Sequence, residues 1–309
     1  MSRSILITGA AGFIGGYATE RFNRAGWRLI GVDRREMGTF AHLAKPNFDF
    51  YTQNDLTDER SIVALLNRHR PEACIHLAAP ASVRASLENP REDFIAQTFP
   101  LFCLLEAIRL SEVSPRLLLV SSAAVYGNPD SLPISEQGKI IPISPYGFHK
   151  HHQERLLDEY HALYGLQVCK ARVFSTYGPG LAHLAVWDIT RRAIRGDYMV
   201  HGTGEETRDY LFVKDVASAL SCIVENASFS GEAINVGSGE ETPIITLAEK
   251  IYSALGLDAK PRLQNVQEIA GNPMRWRADV SRLSALGFER EVSLDAGIRS
   301  TVEWIKANS

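Results

Sequence analysis

Ser4-Ile5-Leu6-Ile7-Thr8-Gly9-Ala10-Ala11-Gly12-Phe13-Ile14-Gly15 runs from a short apolar segment through a glycine-punctuated turn into a helical pattern that continues to Ala25. A strand that feeds straight into such a turn and helix is the opening unit of a dinucleotide-binding α/β fold. The glycines permit a tight turn and close backbone approach, and the helix N-terminus receives a pyrophosphate. Asp33 closes the next apolar run, 18 positions after Gly15, near the ~20 expected of a residue that bonds the ribose hydroxyls. A carboxylate there repels a 2′-phosphate and points to NAD, while Arg34-Arg35 directly after it keeps NADP as the alternative. Gly9, Gly12, Phe13, Ile14, Gly15, Asp33 and Arg34 are therefore cofactor candidates. Asp55-Leu56, after an Asp49–Thr52 strand, and Leu77-Ala78-Ala79, at the carboxyl end of another strand, join them, because ligands of open parallel sheets bind at that edge.

Working outward, apolar runs at Leu29–Val32, Ala73–Leu77, Leu117–Ser121 and Gln167–Phe174 alternate with helical patterns at Phe13–Ala25, Asp58–Arg68, Pro90–Leu110 and Pro145–Leu163. Buried parallel strands joined by crossover helices have this texture. The expected fold is α/β, a Rossmann-type doubly wound parallel sheet with a smaller mixed α/β C-terminal substrate lobe. From Tyr177 turn residues become frequent, at Gly178-Pro179-Gly180, Gly202-Thr203-Gly204 and Gly237-Ser238-Gly239. That shift divides the chain into a dinucleotide-binding domain over residues 1–175, rejoined by about 213–236, and a substrate lobe over 176–309.

The chain has 309 residues, 45% hydrophobic and 22% charged, with a formal net charge of -3. These are globular values, and they offer no electrostatic case for nucleic acid or an anionic membrane surface. The N-terminus reads as strand, turn and helix and not as a cleaved signal. No window approaches the roughly 20 apolar residues of a membrane span. Cys74, Cys103, Cys169 and Cys222 are widely spaced in apolar surroundings and read as buried thiols, which fits a reducing cytoplasm. His149, His151 and His152 lack an accompanying carboxylate or cysteine motif, so no metal is expected.

Ser144-Pro145-Tyr146-Gly147-Phe148-His149-Lys150 carries the chemistry. Ser at the N-cap and Pro at the first helical position start a helix, and residues i and i+4 share its face. Tyr146 then sits in the first turn, where the helix dipole and Lys150 are both expected to favour a phenolate. Alone the pattern is weak, since a surface Tyr near a surface Lys satisfies it.

Thr8-Gly9-x-x-Gly12-x-x-Gly15, His76-Leu77-Ala78-Ala79, Ser121-Ser122-Ala123-Ala124-Val125-Tyr126-Gly127, Ser144-Pro145-Tyr146-x-x-x-Lys150 and Thr207-Arg208-Asp209-Tyr210 together closely resemble the extended short-chain dehydrogenase/reductases. Within these the chain is most similar to the nucleotide-sugar epimerase/dehydratase family, over essentially its whole length and with the motifs in family order. The resemblance implies that Ser122 bonds the reacting sugar oxygen, Tyr146 is the general base, and Lys150 binds the nicotinamide ribose while lowering the tyrosine pKa. It implies that Arg208 pairs with the diphosphate of a nucleotide sugar, and it puts Ser82, Ala123 and Ser175 on the substrate side. A homodimer through the helices around Pro90–Leu110 and Pro145–Leu163 is implied too, although Pro100 is expected to interrupt the first and Gln153, Glu154 and Arg155 to roughen the second. Bland alternatives stand beside these roles: Ser122 could satisfy a strand-end backbone group and Arg208 a surface ion pair.

The chain departs from the family pattern where dehydratases carry acidic residues after the catalytic Ser/Thr. Ala123 and Ala124 cannot transfer protons, so dehydration is disfavoured and reversible oxidation at a sugar carbinol remains. The resemblance thus implies a UDP-hexose type 4-epimerase; a reductase of a 4-keto nucleotide sugar is the alternative, and a non-catalytic NAD(P)-binding sensor a third. Gln97 and Ser175 stand where relatives have Asn. Ile269 and Asn272 align with a diphosphate Arg and a ribose Asp, leaving Arg275 as the substitute arginine. Trp276 falls where bulk limits substituents at the sugar 2-position, or is simply a core aromatic; the nucleotide stays open. Trp187-Asp188 could sit over the sugar or pack as helix and surface.

Overall fold

A computed structural model of the chain describes residues 3–37, 48–264 and 271–308; Ile269 lies outside the described residues. Seven parallel strands form the central sheet, in the order β11-β6-β5-β4-β1-β2-β3. They are β1 (Ser4–Thr8), β2 (Arg28–Asp33), β3 (Phe50–Gln53), β4 (Ala73–His76), β5 (Arg116–Ser122), β6 (Val168–Val173) and, returning late in the chain, β11 (Ser230–Val236). The order reverses between β1 and β4, so a crevice opens at their carboxyl ends, the switch point where such sheets bind ligands.

Strand alternation explains why the runs are apolar throughout. Ile5 and Ile7 enter the core beneath α1 (Phe13–Arg24) and α7 (Val213–Asn226), while Leu6 enters the opposite core beneath α2 (Glu59–His69), α4 (Pro90–Leu110) and α5 (Pro145–Tyr164). Leu118 and Val120 repeat the first assignment, Leu117 and Leu119 the second. With both faces covered, a polar residue at an inner position of the central strands needs a buried partner. Each such Leu or Ile contributes about 1.5–3 kcal/mol by leaving water.

Two expectations about the helices are corrected. α4 runs unbroken through Pro100; a proline there removes one intrahelical donor, at the carbonyl of Ala96, and the packed helix tolerates it. In α5, Gln153 and Glu154 point inward and not outward: Gln153 Nε2 donates to the Gln97 carbonyl at 2.6 Å, and Glu154 is 2% exposed. A short helix that periodicity did not show, α3 (Val83–Glu88), is capped by Ser82, whose Oγ accepts from Ala85 N at 3.1 Å.

The other lobe has its own core, formed where α6 (Leu184–Ile194), α8 (Ile244–Leu255) and α10 (Leu294–Ala307) enclose Tyr177, Tyr210, Phe212 and Tyr252. Its strands are short pairs: β7 (Ser175–Tyr177) with β10 (Tyr210–Phe212), β8 (Met199–His201) with β13 (Arg262–Gln264), and β9 (Thr207–Arg208) with β12 (Thr242–Pro243). The remaining helix, α9 (Ser281–Ala285), packs on β11.

Candidate active site

The crevice at the carboxyl edge widens into a cleft of about 2380 Å³ between sheet and lobe. One end is the glycine turn. Gly9 has φ +71, and a Cβ on it would lie 2.7 Å from Ala78 N, so the first turn and the Leu77-Ala78-Ala79 turn pack backbone to backbone. Gly12, at the N-cap of α1, gives no side-chain bond to the first helical turn, and Phe13, Ile14 and Gly15 line the cleft beside it. That leaves the helix N-terminus free to meet an anion.

Asp33 is 8% exposed and already works within the protein: Oδ2 accepts from Ala11 N at 3.0 Å and Oδ1 from Arg35 N at 3.0 Å. Oδ1 also accepts from Arg35 Nε at 3.4 Å, while Oδ2 retains a second lone pair with which the same group can still accept a ribose hydroxyl. Arg34, Asp55, Leu56, Leu77, Ala78 and Ala79 all border this end. Asp55 also holds its own turn, accepting from Thr57 N at 2.9 Å. A dinucleotide therefore fits the donors, acceptors and apolar walls present.

At the centre, β5 ends at Ser122 and passes into a single 3₁₀ turn, Ala123–Tyr126. α5 begins beside it, with Ser144 Oγ accepting from Gly147 N at 3.2 Å and Pro145 in the first turn. A Cβ on Gly147 would lie 2.6 Å from the Ala124 carbonyl; the glycine lets the helix start against the 3₁₀ turn and brings Tyr146 to Ser122. Tyr146 N donates to Ser86 Oγ at 3.1 Å, and Lys150 Nζ to the Val120 carbonyl at 3.1 Å. Ser122, Tyr146 and Lys150 line one wall of the cleft together.

The electrostatics differ from the expectation. Burial pushes the Tyr146 phenol up to about 12, the Ser122 hydroxyl pulls it back, and Asp93 adds to the rise. Burial pushes the Lys150 ammonium down to about 8, against Asp93 and Glu154, which favour its charge. Protein groups alone thus keep Tyr146 a neutral phenol at pH 7, because desolvation in this wall outweighs the hydroxyl's help. His76, behind the site, is pushed down to about 3 by burial and by Lys150, and its Nδ1 lies 2.9 Å from Thr8 Oγ1. It is a neutral tie between β4 and β1.

Ser82, at the cap of α3, and Ser175 and Arg208, on the lobe side, reach the cleft. Arg208 Nη1 donates to the Thr207 carbonyl at 2.7 Å and its guanidinium lies 5.5 Å from the Trp276 ring centre. Trp276 is 8% exposed, donates Nε1 to the Gly127 carbonyl at 3.0 Å and meets Phe174 edge to face at 5.9 Å. It is at once a packed aromatic and part of the cleft wall. Trp187 and Asp188 also border the cleft, with Trp187 against Trp304 at 5.7 Å.

Two expected substrate residues are placed elsewhere. Ala123 is fully buried in the cluster under the cleft, and Ala124 faces the cleft in its stead. Arg275 binds Glu241 through Nε at 2.7 Å and Nη2 at 3.0 Å, and lines a separate cavity of about 290 Å³ with Arg277. The segment is extended, so successive side chains alternate: Met274 and Trp276 face the cleft, Arg275 and Arg277 the other side. Asn272 does line the cleft.

A residue quoted in the motif without a role, Asp209, organises this side. Fully buried, it accepts from Ser238 N at 2.6 Å, Gly239 N at 2.9 Å and Ala278 N at 3.0 Å, tying three segments beside Arg208. The signal was present in its place between Arg208 and Tyr210, but its partners are 29 or more positions away. Among the described residues no group of three His, Cys, Asp or Glu is arranged to hold a metal, and no helix is long and apolar enough to cross a membrane.

Residues 5–237 match the NAD dependent epimerase/dehydratase family. The chain belongs to that family. It is 33% identical to a UDP-glucose 4-epimerase of Mycolicibacterium smegmatis over 98% of this chain and 99% of that one. In structure it is similar to a UDP-glucose 4-epimerase of Thermotoga maritima solved with UDP-glucose, at a TM-score of 0.87 and 30% identity, covering 99% of each chain. A UDP-glucose 4-epimerase of Thermus thermophilus solved with NAD has a TM-score of 0.88 at 28% identity, covering 99% of this chain and 100% of that one. As a family member the chain is an NAD-dependent enzyme of the epimerase and oxidoreductase kind.

Proposed function

We propose that the chain is a nucleotide-sugar 4-epimerase of the UDP-hexose type, with residues 1–175 and the returning 213–236 holding NAD and residues 176–309 the nucleotide sugar. The observation that supports this best is the makeup of the central wall. Ser122, Tyr146 and Lys150 stand there with Ala124 facing the cleft, so the wall has a hydroxyl, a phenol and an ammonium but no acid after Ser122 to drive dehydration.

The glycine turn and the α1 N-terminus would hold the pyrophosphate, Asp33 the adenosine ribose and Lys150 the nicotinamide ribose. When bound, the nicotinamide supplies reversible hydride storage, so oxidation and reduction of the sugar cancel. Ser122 donates to the C4 oxygen and Tyr146 exchanges the proton on that same oxygen. A phenol near 12 returns a proton readily and yields one only with positive charge at hand, and Lys150 is the cation the chain itself supplies. The 4-keto sugar turns between the two half-reactions while Arg208 keeps its diphosphate in place. Trp276 closes the wall near C2, so N-acetylhexosamines are poorer substrates than plain hexoses.

The enzyme acts as a homodimer. Phe94, Ile95, Phe99 and Phe102 on α4 and Phe148 and Leu163 on α5 are exposed apolar side chains on adjacent helices, a patch that favours burial against a second copy. The test is to incubate freshly purified protein with UDP-glucose and no added cofactor. Formation of the C4 epimer is expected, faster than with UDP-N-acetylglucosamine. Consumption of one NAD(P)H for each 4-keto sugar reduced, with no epimer formed, would replace this function by a reductase.

A further inference from the structure

We propose that Tyr126 is a positioning residue for Ser122 and Trp276: its hydroxyl pins the 3₁₀ turn that carries Ser122 at one end and the acceptor for the Trp276 indole at the other. Ser122 caps the turn, Ala123–Tyr126 form it, and Gly127 leaves it with a carbonyl that accepts from Trp276 Nε1 at 3.0 Å. Ser122 and Trp276 both line the cleft. The place of the hydroxyl and the anchor of the aromatic wall thus depend on the same few residues.

Tyr126 is 1% exposed and sits in the cluster under the cleft. Its hydroxyl accepts from Arg172 Nη1 at 2.9 Å and donates to Asn235 Oδ1 at 2.7 Å. Those directions are forced. A guanidinium only donates, so the one phenolic proton goes to Asn235. The Asn235 amide in turn gives Nδ2 to the Ile134 carbonyl at 2.8 Å and to the Asp279 carbonyl at 3.2 Å, which leaves Oδ1 as the acceptor. The turn is therefore fastened to β6 through Arg172 and to β11 through Asn235.

Both ends of this link reach the cleft walls. Arg172 also holds Glu154 at 2.7 and 3.0 Å, and Glu154 accepts from Ser121 Oγ at 2.6 Å. Glu154 lies four residues beyond Lys150 and eight beyond Tyr146, on the same face of α5, so the network fixes that helix against β5 beside Ser122. At the other end, Ile134 N donates to the Arg277 carbonyl at 2.7 Å and Asp279 N to the Ile134 carbonyl at 2.9 Å, on the segment that carries Trp276. The Tyr126 ring adds a second path, since Phe174 lies 6.3 Å from it and 5.9 Å from the Trp276 ring. In an epimerase the sugar presents both of its faces to one fixed hydroxyl, and a misplacement of about 1 Å can cost up to ~10²-fold in rate. This rests on the proposed function only for the claim that Ser122 holds the reacting oxygen.

The test is Tyr126→Phe, which keeps the ring and removes the pin. Hydrogen–deuterium exchange at the indole N–H groups is followed by NMR on the cofactor-loaded protein, with Trp276→Phe and Trp27→Phe assigning their signals. Trp27, 3% exposed and bonded through Nε1 to Glu225 at 3.3 Å, belongs to the core under α1 and α7 and reports global opening. Exchange at Trp276 should quicken by about tenfold relative to Trp27, the factor that one buried hydrogen bond is worth. On UDP-glucose kcat should fall by about as much, with KM held within about twofold. If Tyr126→Phe does not fold, Tyr126→Met is read in the same way. A lower Tm with both indoles quickened equally, or with neither moved, overturns the inference and leaves Tyr126 a packing residue. Quickened exchange at Trp276 with kcat at the wild-type value overturns it too. The exchange needs no substrate: if the wild type epimerises no UDP-hexose, the proposed function fails and the exchange alone decides this inference.

Discussion

The sheet half and the C-terminal lobe meet at one cleft but build their walls in different ways. On the sheet half the functional positions are backbone positions: the end of β1, the N-terminus of α1, the end of β5 and the first turn of α5. A turn of glycines or a Ser-Pro start fixes them locally, so residues close in sequence meet in space. On the lobe Arg208, Ser175 and the Asn272–Trp276 stretch come from three separated segments, and Asp209 ties them by long-range bonds from Ser175 N and Ala278 N. The residues proposed for catalysis ride on local geometry, while those proposed for substrate binding depend on how loops are tied together.

The largest effect is expected at Tyr146. Tyr146→Phe keeps the ring that packs in the wall and removes the proton carrier, so turnover should fall at least ~10³-fold with cofactor still bound. Steady-state assays paired with quantitation of released NAD check this, and wild-type-like activity would displace Tyr146 from its role. On the lobe the test is a matched pair. Arg208→Ala should lower kcat/KM by roughly 30-fold to 1000-fold through loss of a charged anchor, and Arg275→Ala by less than about twofold, because Arg275 faces the other cavity. Equal losses from both would show that the alternation along residues 274–277 does not carry into the bound state.

The smallest expected effect concerns stability. Lys150 has a folded-state pKa below its ordinary value, so between about 8 and the ordinary lysine range the unfolded chain binds the extra proton. Stability therefore rises with pH across that window, and the cost of the buried charge is full below it. Lys150→Met should melt higher than wild type at pH 7 by a few degrees, about 2–4 °C, and the gap should narrow as pH climbs above 8. Thermal unfolding followed by circular dichroism at a series of pH values reads this out. A gap that widens with pH would mean that burial does not oppose the ammonium.

Much of the sheet half was legible because strand runs buried on both faces leave an uninterrupted apolar signature and glycine turns leave a spacing. α3 was not legible, since six residues from Val83 to Glu88 are too short for a period to emerge. The inward turn of Gln153 and Glu154 was hidden as well: polar side chains read as surface unless the partner is known, and Arg172 and Gln97 lie far away in sequence. Arg275 was misplaced for a simpler reason, a one-residue shift of face in an extended segment. Tyr146 does sit in the first turn of α5, on the cleft wall, but burial raises its pKa where the motif implied a lowering, because burial is a property of the folded wall and leaves no mark on a motif.

In the proposed mechanism the C4 hydrogen leaves the sugar and returns to the same molecule while Tyr146 exchanges the oxygen-bound proton. UDP-glucose carrying deuterium at C4, converted in unlabelled buffer without added cofactor, should yield the C4 epimer with its deuterium retained. Epimer formed with the deuterium lost to solvent or to exogenous cofactor would contradict it.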